Sequence, residues 1–181
     1  MARTRSNPQL VLRPQDLVVL LRLAVDRGPM PTYAVLSTEL GLTASEAHAC
    51  VERAVAAQLA HKDADGKVRV VRESLLQFVE YGARFCFPAT RGGMTRGMAT
   101  AHGAAPLKGR VVADLDPVPV WPHKDGTTRG TAFHPLYPSV PDAAARLPAL
   151  GELLALFDAV RGGSVRERSL AIGMLRERLQ P

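Results

Sequence analysis

The feature that most constrains the fold is a three-residue turn, Gly41-Leu42-Thr43, between two short amphipathic helical stretches. We expect Gly41 to take the left-handed conformation that ends a helix, and Leu42 to fold back over that helix end as an apolar plug. Thr43 is a favourable N-cap, and Glu46 follows three residues later, which completes a capping box. The sequence therefore predicts a helix on each side of a tight glycine turn.

This pair of helices is flanked by two further elements. An earlier helix is predicted from Pro14 onward, because leucines recur there at helical spacing until Gly28-Pro29 closes the segment. After the second helix of the pair, residues 61–71 predict a basic β-hairpin with Asp65-Gly66 at its turn. Three helices followed by a hairpin is the order of a winged helix-turn-helix.

The stretch from Leu36 to Val71 resembles the winged helix-turn-helix regulators of the MarR type, and the resemblance covers about the first 80 residues. It implies a DNA-binding transcriptional regulator, a dimeric repressor that contacts operator DNA through the helix 44–58 and a basic wing. The residues that carry the resemblance are Leu36-Ser37-Thr38-Glu39-Leu40-Gly41-Leu42-Thr43, Ser45-Glu46, Arg53-Ala54, Leu59 and the hairpin.

Candidate DNA contacts lie on the predicted polar face of helix 44–58 and on the hairpin. Arg53, expected to project toward solvent, is the candidate for base contact, and the hairpin cations are candidates for phosphate contact. Glu46 and Glu52 lie beside that single Arg, and residues 1–82 carry 10 cations and 9 anions, which leaves a protein-interaction module as the alternative. The candidate DNA-binding residues are Thr43, Ser45, His48, Glu52, Arg53, Lys62, Lys67 and Arg69.

Most of the net charge of +6 comes from residues 83–141, which hold 7 cations and 3 anions. This segment is rich in glycine and proline, and we predict that it is irregular. Thr-Arg-Gly occurs three times and places Arg91, Arg96 and Arg129 beside glycine, which favours close approach of the backbone to a phosphate. An extended basic arm is one hypothesis; the alternative is tight turns with solvated arginines, or arginines that cap helix carbonyls. An irregular hairpin is predicted from Val118–Trp121, Lys124-Asp125-Gly126 and Thr131–Phe133.

The last forty residues predict helices. Ser139 precedes a short helix, and Pro148 begins a longer one that ends at Gly162-Gly163. Ser164 and Glu167 form a second capping box, at the start of the final helix. The last two helices are expected to form a hairpin whose apolar faces support a homodimer.

Several classes of site are not supported by the sequence. The chain has no Walker A, GxGxxG, GxSxG or HExxH pattern, so no standard enzyme class is indicated. Cys50 and Cys86 lack CxxC spacing, which favours a reducing cytoplasm. His102, His123 and His134, at spacings of 21 and 11, match no zinc template, and we expect turn and surface histidines with no metal or cofactor. No run of about 18 apolar residues predicts a membrane span.

These observations predict a mainly α fold with small β-hairpins. A winged helix-turn-helix is expected over 1–82, an irregular basic segment over 83–141, and a helical dimerisation region over 142–181. The predicted function is a cytoplasmic regulator that binds double-stranded DNA as a homodimer. The alternative is an antitoxin or adaptor that binds a partner protein through 83–141 and autoregulates its operon.

Overall fold

Three helices and a hairpin open the computed structural model, which describes residues 11–26, 28–110 and 117–180. Gly41 ends the second helix with φ at 65°, and its N–H donates to the carbonyl of Ser37. The Thr43 side chain accepts from the Glu46 N–H, and the Glu46 carboxylate accepts from the Thr43 N–H, so the predicted glycine turn and capping box are confirmed. The elements are α1 (Pro14–Val25), α2 (Tyr33–Leu40), α3 (Ala44–Ala56), β1 (Ala60–Lys62) and β2 (Val68–Val70).

The β1–β2 hairpin forms at the predicted turn. The two strands are antiparallel, and Gly66 takes a positive φ of 75°. The Asp63 carboxylate accepts from the backbone N–H groups of Asp65 and Lys67, which stabilises the loop between the strands. Val68 is buried whereas Arg69 is exposed, so the two faces of the hairpin alternate as expected.

The helix after the hairpin does not end at Gly82, although glycine often ends a helix. It continues from α4 (Arg72–Gln77) through a π-helical turn (Phe78–Gly82) into α5 (Ala83–Cys86). Gly82 has a φ of −111°, outside the left-handed region that ends helices. A stripe of buried side chains continues across the turn, which keeps the chain helical beyond the glycine. The stripe consists of Leu75, Val79 and Ala83.

The described part of 83–141 is a folded sheet with short helical turns rather than an irregular segment. The sheet comprises β3 (Arg91–Ala99), β4 (Pro119–Pro122) and β5 (Thr128–Phe133), which close on one another. The predicted hairpin is wrong in its pairing: both β4 and β5 lie antiparallel to β3, and they are therefore parallel to each other. The long strand β3 thus serves as the common partner.

Glycine permits this closure. The backbone at Gly97 pairs with both Pro122 of β4 and Thr128 of β5. A Cβ at Gly97 would lie 2.0 Å from the Trp121 carbonyl oxygen, and a Cβ at Gly130 would lie 1.9 Å from the Val118 carbonyl oxygen. Because no side chain fits at such distances, these positions require glycine.

Three C-terminal helices complete the fold: α6 (Val140–Arg146), α7 (Pro148–Gly162) and α8 (Val165–Leu179). The Ser164 and Glu167 capping box is confirmed at the start of α8. α7 lies at the centre of the molecule, where it packs against α1, α5, α6 and α8. Its residues from Leu153 to Arg161 are all buried, so the apolar face on which the predicted dimer depended is used within one chain.

α6 joins the C-terminal helices to the α2–α3 turn. The Ser139 hydroxyl, predicted as an N-cap, instead donates to the carbonyl of Leu40 at 2.5 Å. The Arg146 guanidinium donates to the carbonyl of Glu39 at 3.0 and 3.2 Å. The last carbonyls of α2 are therefore bonded by side chains from a distant helix.

A buried carboxylate fastens the sheet to α7. Asp158 accepts hydrogen bonds from Thr100 Oγ1 (2.8 Å), from Trp121 Nε1 (2.6 Å) and from Arg161 Nε (2.8 Å). Burial raises the pKa of Asp158, whereas Arg161 and the two neutral donors act in the opposite direction. Arg161 also stacks over the Phe133 ring at 4.9 Å, which ties β5 to the same helix.

One hydrophobic core runs from α1 to α8 through all three predicted segments. The structure is mixed α/β and 54% helical with small sheets, so the predicted helical majority is confirmed. Within the described residues, no helix is both long and apolar enough to cross a lipid bilayer.

Gly130→Ala tests the glycine-dependent closure. We expect it to lower the free energy of unfolding by about 1–3 kcal/mol or more, because the added methyl group meets the Val118 carbonyl. Gly173→Ala is the matched control: Gly173 lies in α8 with open space around its Cβ position, and there alanine should raise stability by about 0.5–1 kcal/mol. Urea unfolding of both variants measures this, and equal stabilities would contradict the closure.

Candidate nucleic-acid interface

The first half of α3 presents a polar face to solvent. Thr43, Ser45, Glu46 and His48 are exposed, whereas the opposite face of the helix is buried against α1 and α2. The His48 ring also meets the Tyr33 ring edge-on, with 5.0 Å between the ring centroids. The predicted contact residues at the start of α3 therefore lie together on an accessible surface.

Arg53 does not belong to this surface, and the prediction that it projects toward solvent is wrong. Its guanidinium donates two hydrogen bonds to Asp16, of 2.7 Å to Oδ1 and 2.8 Å to Oδ2. The Asp16 side chain is fully buried and that of Arg53 is 12% exposed. A buried carboxylate requires a charged partner, and the Asp16 hydrogen bonds raise the pKa of Arg53. The base-contact role assigned to Arg53 therefore loses its geometric support.

Cys50 lies beside this ion pair, and its thiol is unreactive. The Arg53 guanidinium approaches its Sγ at 3.5 Å. Burial, assisted by the nearby Asp16 carboxylate, raises the pKa of the Cys50 thiol to about 12. The thiol is therefore protonated at neutral pH, which excludes it as a nucleophile.

The hairpin cations are accessible, but each has a carboxylate neighbour. Lys62 Nζ lies 2.6 Å from Glu52 Oε1, which lowers the pKa of Glu52 and raises that of Lys62. Lys67 lies 3.5 Å from Asp65, and Arg69 lies 3.2 Å from Asp63. Exposed pairs of this kind contribute only about 0–1 kcal/mol, so a phosphate can replace the carboxylate partner.

Arg91, Arg96 and Arg129 belong to the folded sheet, so the predicted extended arm is wrong. Arg91 donates to the carbonyl of Gly162 at 2.7 Å and stacks over the Phe133 ring at 5.5 Å, which gives it a structural role. Arg96 of β3 and Arg129 of β5 are directly opposite each other in the antiparallel register, and both are exposed. The sheet thus presents two adjacent guanidinium groups.

Ion pairing differs between the N-terminal unit and the described part of residues 83–141. In the N-terminal unit, Arg22 and Arg53 as well as the hairpin cations have carboxylate partners within 4.0 Å. Across the described part of 83–141, by contrast, no arginine or lysine pairs with a described carboxylate. Among the described residues, the cations of 83–141 therefore lack the carboxylate partners that most cations of the N-terminal unit have.

Two of the three histidines are not the surface residues that the spacing predicted. His102 is largely buried with its Nδ1 2.6 Å from Glu167 Oε1, and its Nε2 is buried without a hydrogen-bond partner among the residues that the structure describes. His123 lies 3.1 Å from Asp142 with its side chain mostly covered, whereas His134 is exposed. No group of three potential metal ligands occurs in the described ranges.

An open cleft of about 1140 Å³ lies between α4 and α8. The charged pair inside it, Glu80 and Arg176, is mutually neutralised at 2.5 Å, and the Glu80 carboxylate also raises the pKa of Tyr81. The remaining lining is mixed apolar and polar, without a convergent set of catalytic groups.

No protein-family model matches the chain, and neither a curated protein nor a solved structure matches it. Function is therefore inferred from the exposed polar face of α3, the hairpin beside it and the unpaired cations of the sheet. The sequence analysis missed the Arg53–Asp16 contact, which joins residues 37 positions apart. It also missed the contacts of Asp158 with Thr100 and Trp121, which lie 58 and 37 positions away along the chain. The signal for Arg53 was Asp16, an acidic residue at the start of an otherwise apolar helix.

Arg53→Met tests whether Arg53 is structural. We expect a loss of about 3–5 kcal/mol in the free energy of unfolding, because the change leaves the buried Asp16 carboxylate without its partner. Arg69→Met breaks an exposed pair and should cost at most about 1 kcal/mol. Chemical denaturation compares the two, and an Arg53→Met protein as stable as Arg69→Met would restore Arg53 as a free contact residue.

Proposed function

We propose that this chain is a DNA-binding transcriptional regulator in which α1–α3 and the β1–β2 hairpin act as a winged helix-turn-helix. The observation that carries the proposal is the polar, exposed first half of α3, which begins directly after the Gly41 turn. In proteins of this type the second helix of the motif enters the major groove with its N-terminal residues at the base edges.

The position of the hairpin supports the same function. The 2.6 Å contact between Lys62 of β1 and Glu52 of α3 brings the hairpin to the exposed side of the helix. Lys67 and Arg69 extend from the hairpin with about half of each side chain exposed. A duplex that receives α3 in its major groove therefore has wing cations available for its phosphates.

Because Arg53 is bonded to Asp16, the proposed base contacts are assigned to the exposed residues in the first half of α3. Ser45 and His48 carry hydrogen-bonding groups that fit base edges, and Thr43 lies at the helix start, where phosphate is favoured. Glu52, which is half-exposed, accepts from the amino group of cytosine when the Lys62 pair opens. The proposed regulator works in the cytoplasm as a dimeric repressor, with half-sites about 34–36 Å apart; its dimer surface is not α7.

Ser45→Glu tests the α3 contact without endangering the fold, because an acidic residue in the first turn of a helix is favourable. We expect about tenfold weaker binding to a duplex from upstream of its own coding sequence, since the new carboxylate meets phosphate or base acceptors. Ser169→Glu, an identical exchange on the exposed side of α8, should bind like wild type.

Fluorescence anisotropy at 50 to 300 mM salt measures both variants, with a scrambled duplex of equal composition as the reference. Stronger wild-type binding to the native duplex than to the scrambled one supports base contacts. Equal binding of the two Ser→Glu variants would contradict the assignment of α3 as the DNA-contacting helix.

A second candidate function, an antitoxin or adaptor that binds a partner protein through 83–141, is favoured by two exposed apolar side chains. Phe85 is 73% exposed and Met94 is 54% exposed, in a segment where large apolar residues are otherwise packed. Co-expression with the product of the adjacent gene should yield a complex that Phe85→Ser weakens. Absence of a complex with that product, alongside specific DNA binding, would exclude this function.

A further inference from the structure

We propose that the exposed face of β3 and β5 around Arg96 and Arg129, here called the strand patch, binds the phosphate backbone of the same DNA duplex that α3 contacts. The inference rests on the proposed function and adds a second contact surface to it, outside the helix-turn-helix unit. It replaces the extended arm of the sequence analysis with a rigid surface.

The first argument is an uncompensated pair of like charges. Arg96 and Arg129 occupy directly opposite positions on antiparallel strands, which places their Cβ atoms about 4.5–5.5 Å apart on one face. Like charges at such positions are destabilising, and neither guanidinium pairs with a described carboxylate. An anion between them converts this repulsion into attraction.

The second argument is preorganisation. Arg96 Nε donates to the carbonyl of Gly126 at 2.5 Å, which fixes the guanidinium and leaves its two terminal nitrogens without a partner in the described chain. A guanidinium held in this way binds phosphate through two parallel hydrogen bonds. Lys124 in the β4–β5 loop adds an exposed cation, and the adjacent Asp125, also exposed, forms no ion pair with a described cation.

The third argument is the path from the strand patch to α3. His123 in the β4–β5 loop donates its backbone N–H to the carbonyl of Arg96 at 3.4 Å, and its ring lies 3.1 Å from Asp142 in the first turn of α6. Ser139 at the start of α6 donates to Leu40, the last residue of α2. The strand patch and the α2–α3 turn therefore lie on either side of one helix end. A long rigid polyanion contacts both.

The open shape of the strand patch favours a polyanion over a small phosphate compound. The clefts beside α8 and beside the α1–α2 loop are lined by other residues, and neither Arg96 nor Arg129 contributes to them. Both arginines are flanked along their strands by a threonine and a glycine, with Met94 and Pro122 as exposed apolar neighbours, whereas the centre of a protein–protein interface is largely apolar. Duplex DNA, which carries one negative charge per about 1.7 Å of helix axis, suits such a surface.

The test is a double variant, Arg96→Gln with Arg129→Gln, compared with Arg166→Gln and Arg178→Gln on the exposed side of α8, which removes the same charge. Loss of two phosphate contacts should reduce the slope of log affinity against log salt by about 1.8 and weaken binding at 100 mM salt by about tenfold or more. Native and scrambled duplexes should lose affinity alike, because phosphate contacts carry no sequence information. The control pair should bind like wild type.

The outcomes separate the inference from the function on which it rests. If the strand-patch variant keeps the wild-type affinity and salt slope while Ser45→Glu loses binding, the strand patch is wrong and the α3 contact stands. If the wild type binds no duplex, both are wrong. If poly-glutamate binding, rather than duplex binding, is lost in the strand-patch variant, the surface belongs to an acidic protein. Thermal unfolding checks folding, and removal of a like-charge pair should leave the melting temperature unchanged or higher.

Discussion

The rest of the structure depends on the burial of one carboxylate, Asp158, at the junction of the sheet and α7. A charged group in the protein interior is tolerated only when it is paired and hydrogen-bonded. The donors to Asp158 come from the end of β3, from β4 and from α7 itself. The two bonds donated by Thr100 and Trp121 determine how the small closed sheet is oriented on the central helix. Because α7 also packs against α1, α5, α6 and α8, the orientation extends to the helices that surround it.

The chain treats its charges in two ways, and the difference bears on function. Buried or half-buried cations such as Arg53 and Arg161 hold acidic residues and the elements that carry them. The cations of the sheet have no carboxylate partner among the described residues, and most of the net charge comes from the segment 83–141 that contains the sheet. Arginines that do not stabilise the fold are free for an external anion, and the pair Arg96–Arg129 meets that description best.

Local features could be predicted from the sequence because neighbouring residues cause them. The Gly41 turn, the Thr43–Glu46 box and the Ser164–Glu167 box each involve atoms within a few positions of one another, as does the hairpin at Gly66. The destination of Arg53 depends on Asp16, 37 positions away, and the parallel neighbours β4 and β5 depend on a third strand that sequence periodicity does not reveal. Helical spacing identified an apolar α7 but not what would cover it, which is why a face buried within the chain resembled a dimer surface.

The contacts from Ser139 and Arg146 to the end of α2 have a consequence for biosynthesis. Ser139, Arg146 and the central helix α7 are synthesised roughly a hundred residues after the α2–α3 turn. They therefore leave the ribosome later than the turn. The α1–α3 unit therefore emerges early but reaches its final rigidity late, when α6 and α7 arrive. Until then its apolar side remains exposed. During this interval a nascent-chain chaperone can bind that side. A shortened chain that lacks α6 and α7 would carry α3 without the framework that orients it.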